Sequence, residues 1–141
     1  MDDTLQLDIV APDKLLVREQ VDQVQIPGKR GELGILPGHA PLITELTIGE
    51  IRYMQGGTLH YLSVAWGFAE VLPNRVIILA DTAERAEEID IKRAQEAKAR
   101  AEAELKQAGA DTHYEALQYA LRRAEVRLQV AAHAGHVAPA H

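Results

Sequence analysis

The stretch Ile89-Asp90-Ile91-Lys92-Arg93-Ala94 sets a carboxylate three residues before a guanidinium. On a helix that spacing puts Asp90 and Arg93 on one face. Two chemistries use such a pair. In the first it is a helix start, with Glu87, Glu88 and Asp90 at the positive end of the dipole and an i,i+3 ion pair to Arg93. In the second it recognises a nucleotide: the carboxylate accepts from an adenine amino group while guanidinium forks grip phosphate oxygens. A triphosphate needs several arginines, and the chain offers Arg100, then Arg122, Arg123 and Arg127. Those last three equally suit the solvated face of a helix. The residues alone leave both readings open.

Catalytic signatures are missing. There is no GxxxxGK[ST] phosphate loop, no GxSxG elbow and no HExxH pair. His39, His60, His113, His133, His136 and His141 lack metal-site spacing, except that His133 and His136 stand three apart in the C-terminal tail. With no cysteine, disulfides and thiolate metal sites are excluded. On motifs the chain reads as no enzyme, with no metal and no required cofactor.

The elements that would position the arginines are helical. From Glu84 the apolar period becomes that of a helix, with Ala94, Ala97, Ala101 and Leu105 on one face. Gly109 stops this helix, and Asp111 or Thr112 can cap a second one whose stripe is Leu117, Leu121, Ala124, Leu128 and Ala131. The short connection over 107–112 makes the two an antiparallel hairpin. Its alanine seam buries little apolar area, so the seam holds it weakly. The tail from His133 to His141 has no periodicity and is expected to fray.

Before Glu84 the pattern is that of strands. Leu5, Leu7 and Ile9 alternate with Gln6, Asp8 and Val10, and two short strands follow around Val17 and from Val21 to Ile26. Residues 51–55 and 58–64 flank Gly56-Gly57, and 66–72 and 75–80 flank Pro73-Asn74, which predicts two hairpins. Residues 26–44 hold Gly28, Gly31, Gly34 and Gly38 with Pro27, Pro37 and Pro41, interleaved with Ile26, Leu33, Ile35, Leu36, Leu42 and Ile43. That spacing predicts a rigid loop-and-short-strand segment carrying Glu32 and His39 on its turns. Short strands with Gly/Pro turns read as an antiparallel sandwich or flattened barrel.

The fold class is therefore α+β by segregation: a β-sandwich over 1–83, a helical hairpin over 84–134 and a tail over 135–141. Charge changes at the same boundary. Residues 1–83 carry 6 Lys+Arg against 11 Asp+Glu, and 84–141 carry 9 against 10 in fewer residues. The net charge of −6 argues against a general nucleic-acid or anionic-membrane binder. No apolar run approaches the roughly 18 residues of a membrane helix, and the acidic Met1-Asp2-Asp3 start is unlike a targeting leader.

Residues 31–44, GELGILPGHAPLIT, closely resemble the signature of the epsilon subunit of bacterial F-type ATP synthases. GFAEVLPNRVIILADTAERAEEID, residues 67–90, and the Ala-rich charged last third extend the resemblance over almost the whole chain. IDIKRA is similar to the I/L-D-x-x-R-A motif that marks an ATP-binding C-terminal domain in some of these subunits. The resemblance implies that Glu84, Ile89, Asp90, Arg93, Ala94 and Arg100 line an ATP site, with Arg123 and Arg127 approaching from the second helix. It implies that the turn bearing Glu32 faces the membrane rotor ring and the turn bearing His39 lies against the gamma subunit. Arg122, Arg123 and Arg127 would meet acidic loops of the alpha/beta catalytic head when the hairpin extends.

By resemblance, then, the expectation is a non-catalytic central-stalk subunit of a proton-driven ATP synthase, with ATP as a regulatory ligand. It would sit peripherally on the cytoplasmic face of the bacterial membrane, attached through other subunits. A folded hairpin would permit ATP hydrolysis and an extended one would block it. The alternative class is a stand-alone sandwich-plus-hairpin interaction module.

Overall fold

The computed structural model describes residues 3–110 and 113–134. Seven strands come first: β1 (Leu5–Ala11), β2 (Lys14–Val21), β3 (Gln23–Gly28), β4 (Gly31–Ile35), β5 (Leu42–Gln55), β6 (Thr58–Leu72) and β7 (Arg75–Arg85). They form one sheet in the order β2-β1-β7-β6-β5-β3-β4, antiparallel except where β1 runs parallel to β7. The sheet folds over on itself as a flattened barrel. Leu16, Val17 and Val21 of β2 share one buried core with Val24, Ile26 and Ile35 from the opposite edge. Gln55 helps close it, donating from Nε2 to the Gln20 carbonyl at 2.9 Å. The fold is the expected α+β arrangement, a β-sandwich followed by two helices.

Both expected hairpins form, with Gln55 opposite Thr58 and Leu72 opposite Arg75. Gly56 and Gly57 take φ of 58° and 85°, the left-handed pair that a two-residue primed turn requires. The strands are longer than their patterns. β5 starts at Leu42, inside the Gly/Pro-rich segment, and β6 runs unbroken through the expected break near Ala65.

The reason lies in a change of facing. β5 points Leu46 into the core and then Ile51 and Tyr53; β6 points Leu62 and Val64 inward and then Ala69 and Val71; β7 does so with Ile78 and Ala80 and then Ala83. At one level the inward set switches between odd and even positions in all three strands, so a period-2 reading breaks there. The switch centres on Trp66 (φ 63°) and Gly67 (φ 143°). A Cβ on Gly67 would collide with the carbonyl oxygen of Leu79, so only glycine fits that close approach.

At that level Ile48, Ala65 and Trp66 turn to the outer face. They meet Ala86, Ile89, Val126, Val130 and Ala131 in a second apolar cluster. This cluster seats the helices. Glu84 and Arg85 are still strand, paired with Ser63 and Leu62, which corrects the expected helix start. A 3-10 turn (Ala86–Glu88) follows, then α1 (Ile91–Lys106) and α2 (Tyr114–Ala134).

In the hairpin seam Ala94, Ala101 and Ala124 are buried, as read, while Ala131 of the expected stripe packs in the cluster against the sheet. The hairpin's attachment is stronger than the seam alone implied, because Val126 and Val130 give α2 a second buried face against the sheet. The frayed tail is corrected at its start. His133 and Ala134 belong to α2, and the His133 ring stacks on Tyr61 with centroids 3.8 Å apart. The proposed caps Asp111 and Thr112, His136 and the tail 135–141 lie outside the described residues.

Candidate functional site

A cleft of about 690 Å³ opens between α1, α2, the middle of β5 and β6 and the end of β7. That is within the size range of small-molecule sites, roughly 300–1,000 Å³. Its base is made of small apolar residues such as Ala65, Ala83, Ala97 and Ala124, with the Ser63 and Thr82 side chains beside them. Arg93 and Arg100 enter from α1, Arg123 and Arg127 from α2, and Glu84 from the end of β7. Successive helical turns put Arg93 and Arg100, and likewise Arg123 and Arg127, on one side of their helices.

The arginines are not equivalent. Arg127 forks onto Glu84, donating from Nε to Oε1 at 2.6 Å and from Nη2 to Oε2 at 3.3 Å. Arg93, Arg100 and Arg123 are exposed and form no salt bridge among the described residues. Four guanidinium groups against Glu84 and Glu104 leave the cleft cationic. Free guanidinium groups over a small apolar floor suit an anionic ligand with a flat apolar part, held by charge-assisted hydrogen bonds.

Of the eight residues expected at an ATP site, five share this cleft: Glu84, Arg93, Arg100, Arg123 and Arg127. The other three have packing or capping duties. Ile89 belongs to the apolar cluster beneath α2, and Ala94 is fully buried in the helix seam. Asp90 is the N-cap of α1, its Oδ1 accepting from the Arg93 backbone N–H at 3.1 Å. The expected Asp90–Arg93 side-chain ion pair is thus replaced by a backbone cap, which satisfies one of the orphan N–H groups of the first turn. The sequence reading missed Glu104, although it follows Arg100 by four residues and so shares its face. It also missed Ser63 and Thr82, which carry no motif.

The residues expected at partner contacts separate. Arg122 faces a second, polar cleft between α2 and β3–β5 that also takes in Lys29, Glu32, Glu50 and Arg52. Glu32 is exposed and lies 3.3 Å from Arg52 Nη2. His39 stands apart on the β4–β5 connection, with Nδ1 2.7 Å from the Ala40 carbonyl. A further charged group had no motif at all. Asp8, on the outer face of β1, is covered by Arg75 at 2.7 Å and Arg18 at 3.4 Å. Burial pushes its pKa up, but hydrogen bonds from Arg75 and Gln6 and the charges of Arg75 and Arg18 outweigh this and hold it below the ordinary aspartate value.

No cluster of three metal-ligating side chains occurs among the described residues. No helix among them is long and apolar enough to cross a membrane.

Residues 4–86 match the family model described as the ATP synthase delta/epsilon chain β-sandwich domain, and 87–132 match its long α-helix domain. The chain is 64% identical over 109 residues to an ATP synthase epsilon chain of Koribacter versatilis, covering 77% of each. It is 46% identical over 132 residues to ATP synthase epsilon chain 2 of Syntrophotalea carbinolica, covering 93% of this chain and 96% of the relative. Among solved structures, a chain of the Euglena gracilis mitochondrial ATP synthase, in an assembly described as OSCP/F1/c-ring, superposes with a TM-score of 0.80. That match has 27% identity over 94% of this chain and 84% of the other. The chain belongs to the delta/epsilon-chain family of ATP synthases. Within it, its place is that of the epsilon subunit of an F-type enzyme, a stalk subunit with no catalytic part.

Proposed function

We propose that the sandwich couples the gamma subunit to the membrane rotor ring and that the hairpin regulates ATP hydrolysis, with ATP favouring its folded state. The arginine cleft carries this reading. Its walls come from α1, α2 and β7, so a ligand held there bridges the hairpin to the sandwich. ATP bound only in that arrangement shifts the hairpin toward the folded state by its differential affinity, leaving fewer molecules with α2 free to reach the alpha/beta head. The extended hairpin blocks hydrolysis, with Arg122, Arg123 and Arg127 meeting acidic loops.

The docking role draws support from the sheet. Ile43, Phe68 and Leu79 are 71%, 54% and 56% exposed on the outer face, with Phe68 directly opposite Leu79. Exposed apolar side chains grouped in this way mark a protein-contact surface, here for gamma. Glu32 and His39 on their rigid turns serve as further contacts, to the ring and to gamma. The subunit then lies on the cytoplasmic face of the bacterial membrane, peripheral and held by its partners, in a proton-translocating enzyme.

Calorimetric titration of Mg-free ATP into the isolated chain tests the ligand, beside an Arg93→Gln, Arg123→Gln variant. Neither arginine holds an ion pair among the described residues, whereas Asp90 caps α1. Saturable one-to-one binding lost in the variant supports the reading, and no heat up to millimolar ATP overturns it. Inhibition is tested separately, by assembling the complex with a chain ending at Ala86. Faster ATP hydrolysis is expected, and an unchanged rate removes the regulatory role.

A further inference from the structure

Four side chains run in a line from the edge of the sheet to the end of α2. Glu32 Oε1 on β4 is 3.3 Å from Arg52 Nη2 on β5. Arg52 Nε is 3.5 Å from Glu50 Oε2, two residues earlier on the same strand face. Glu50 Oε1 in turn is 3.4 Å from Nε2 of His133. The middle of the line is sheltered: the Glu50 side chain is 13% exposed, and Arg52 and His133 are each 32% exposed. Glu50 Oε1 and Arg52 Nε are buried and make no hydrogen bond of good geometry, so these long contacts are the partners they have. Arg52 is therefore shared between two carboxylates, and Glu50 between a guanidinium and an imidazole.

We propose that Glu32, Arg52, Glu50 and His133 form a charge relay coupling the β3–β4 turn to the docking of the last turn of α2. A cationic group that engages Glu32 frees Arg52 to pair with Glu50 alone. Glu50 is then drawn from His133, and the end of α2 loses a polar anchor that otherwise supplements the His133–Tyr61 stack. Occupation of the turn thus loosens the hairpin, and a released hairpin leaves Glu32 less well paired. Coupling of this kind is reciprocal by linkage. That the occupant is the rotor ring rests on the function proposed above; the relay itself does not.

Amide hydrogen exchange on the full chain reads this directly, because local opening of α2 is reported residue by residue. Glu32→Gln is expected to speed exchange at residues 130–134 by about two- to fivefold, the range of partly exposed ion pairs. Exchange in the core of β6 and β7 should not change. Glu50→Gln should speed the same amides, and adding Glu32→Gln to it should do nothing more. The cycle repeated with His133→Gln as background covers the case in which Glu50→Gln disturbs the sheet, and there too Glu32→Gln should be silent. Unchanged α2 exchange in Glu32→Gln overturns the relay, as does an equal effect of Glu32→Gln in both backgrounds. If the cycle holds but Glu32→Gln leaves the assembled complex fully coupled, the relay stands and the ring contact fails.

Discussion

Arg127 on α2 and Glu84 at the end of β7 meet in a two-point fork, 2.6 Å and 3.3 Å, at the edge of the arginine cleft. One guanidinium is thereby committed to holding the hairpin on the sandwich, while Arg93, Arg100 and Arg123 make no salt bridge among the described residues. The fork side chains are 27% and 36% exposed, so solvent screens part of the attraction. Arg127→Gln should weaken hairpin docking by about 0.5–1 kcal/mol, seen as severalfold faster exchange along the sheet-facing side of α2. Arg123→Gln, with no such pair, should leave exchange unchanged.

Asp90 separates a capping role from a ligand role. Its carboxylate accepts from the Arg93 backbone N–H, so Asp90→Ala should cost about 1 kcal/mol and fray the first turn of α1. Asp90→Ser should restore most of this, because a serine hydroxyl also caps. Urea unfolding of the three chains checks it. If Asp90→Ser regains stability without regaining ATP affinity, the carboxylate has a second duty at the ligand.

Val130 is fully buried between α2 and the sheet, in the cluster with Ile48, Ala65 and Ile89. Val130→Ala removes two methyl groups and leaves a cavity, which should cost about 1.5–2.5 kcal/mol. The loss should fall on docking of the hairpin. Exchange protection should drop in α2 and persist in the strands. A uniform loss across strands and helices would mean that the hairpin and the sandwich unfold as one unit.

The legibility of this fold followed local rules. The Gly56-Gly57 and Pro73-Asn74 hairpins and the alanine seam of α1 and α2 could be read because turn chemistry and helical period act over a few residues. The long strands could not. The pattern read as two strands broken at Ala65, yet β6 is continuous, because Gly67 lets it pass Leu79 and turn Trp66 outward, where Tyr119 of α2 meets it edge-on at 5.0 Å. The second buried face of α2 was hidden for the same reason: Val126 and Val130 have a partner only once three strands have switched their inward set. At the cleft, the arginines were legible from charge and helical spacing. Glu84 was named by resemblance but assigned to a helix, because its strand pairing with Ser63 is a long-range property. Asp90 was legible as a helix start, and its cap geometry was not.

Asp8 lies on the outer face of the sheet, its side chain 3% exposed beneath Arg75 and Arg18. Ile77 of β7 lies directly opposite it in the parallel β1–β7 pair. Because the folded pKa of Asp8 is depressed, the native state binds fewer protons there than the unfolded chain. The stability it contributes is present above the unfolded aspartate value of about 3.9 and is lost as pH falls through the lower folded value. Asp8→Asn removes the charge that Arg75 and Arg18 answer, and should cost about 1.5–3 kcal/mol at neutral pH. Urea unfolding from pH 7 down to about pH 2.5 should show the two chains far apart at neutrality and converging below about pH 4. Parallel curves would mean that Asp8 keeps the same protonation in both states.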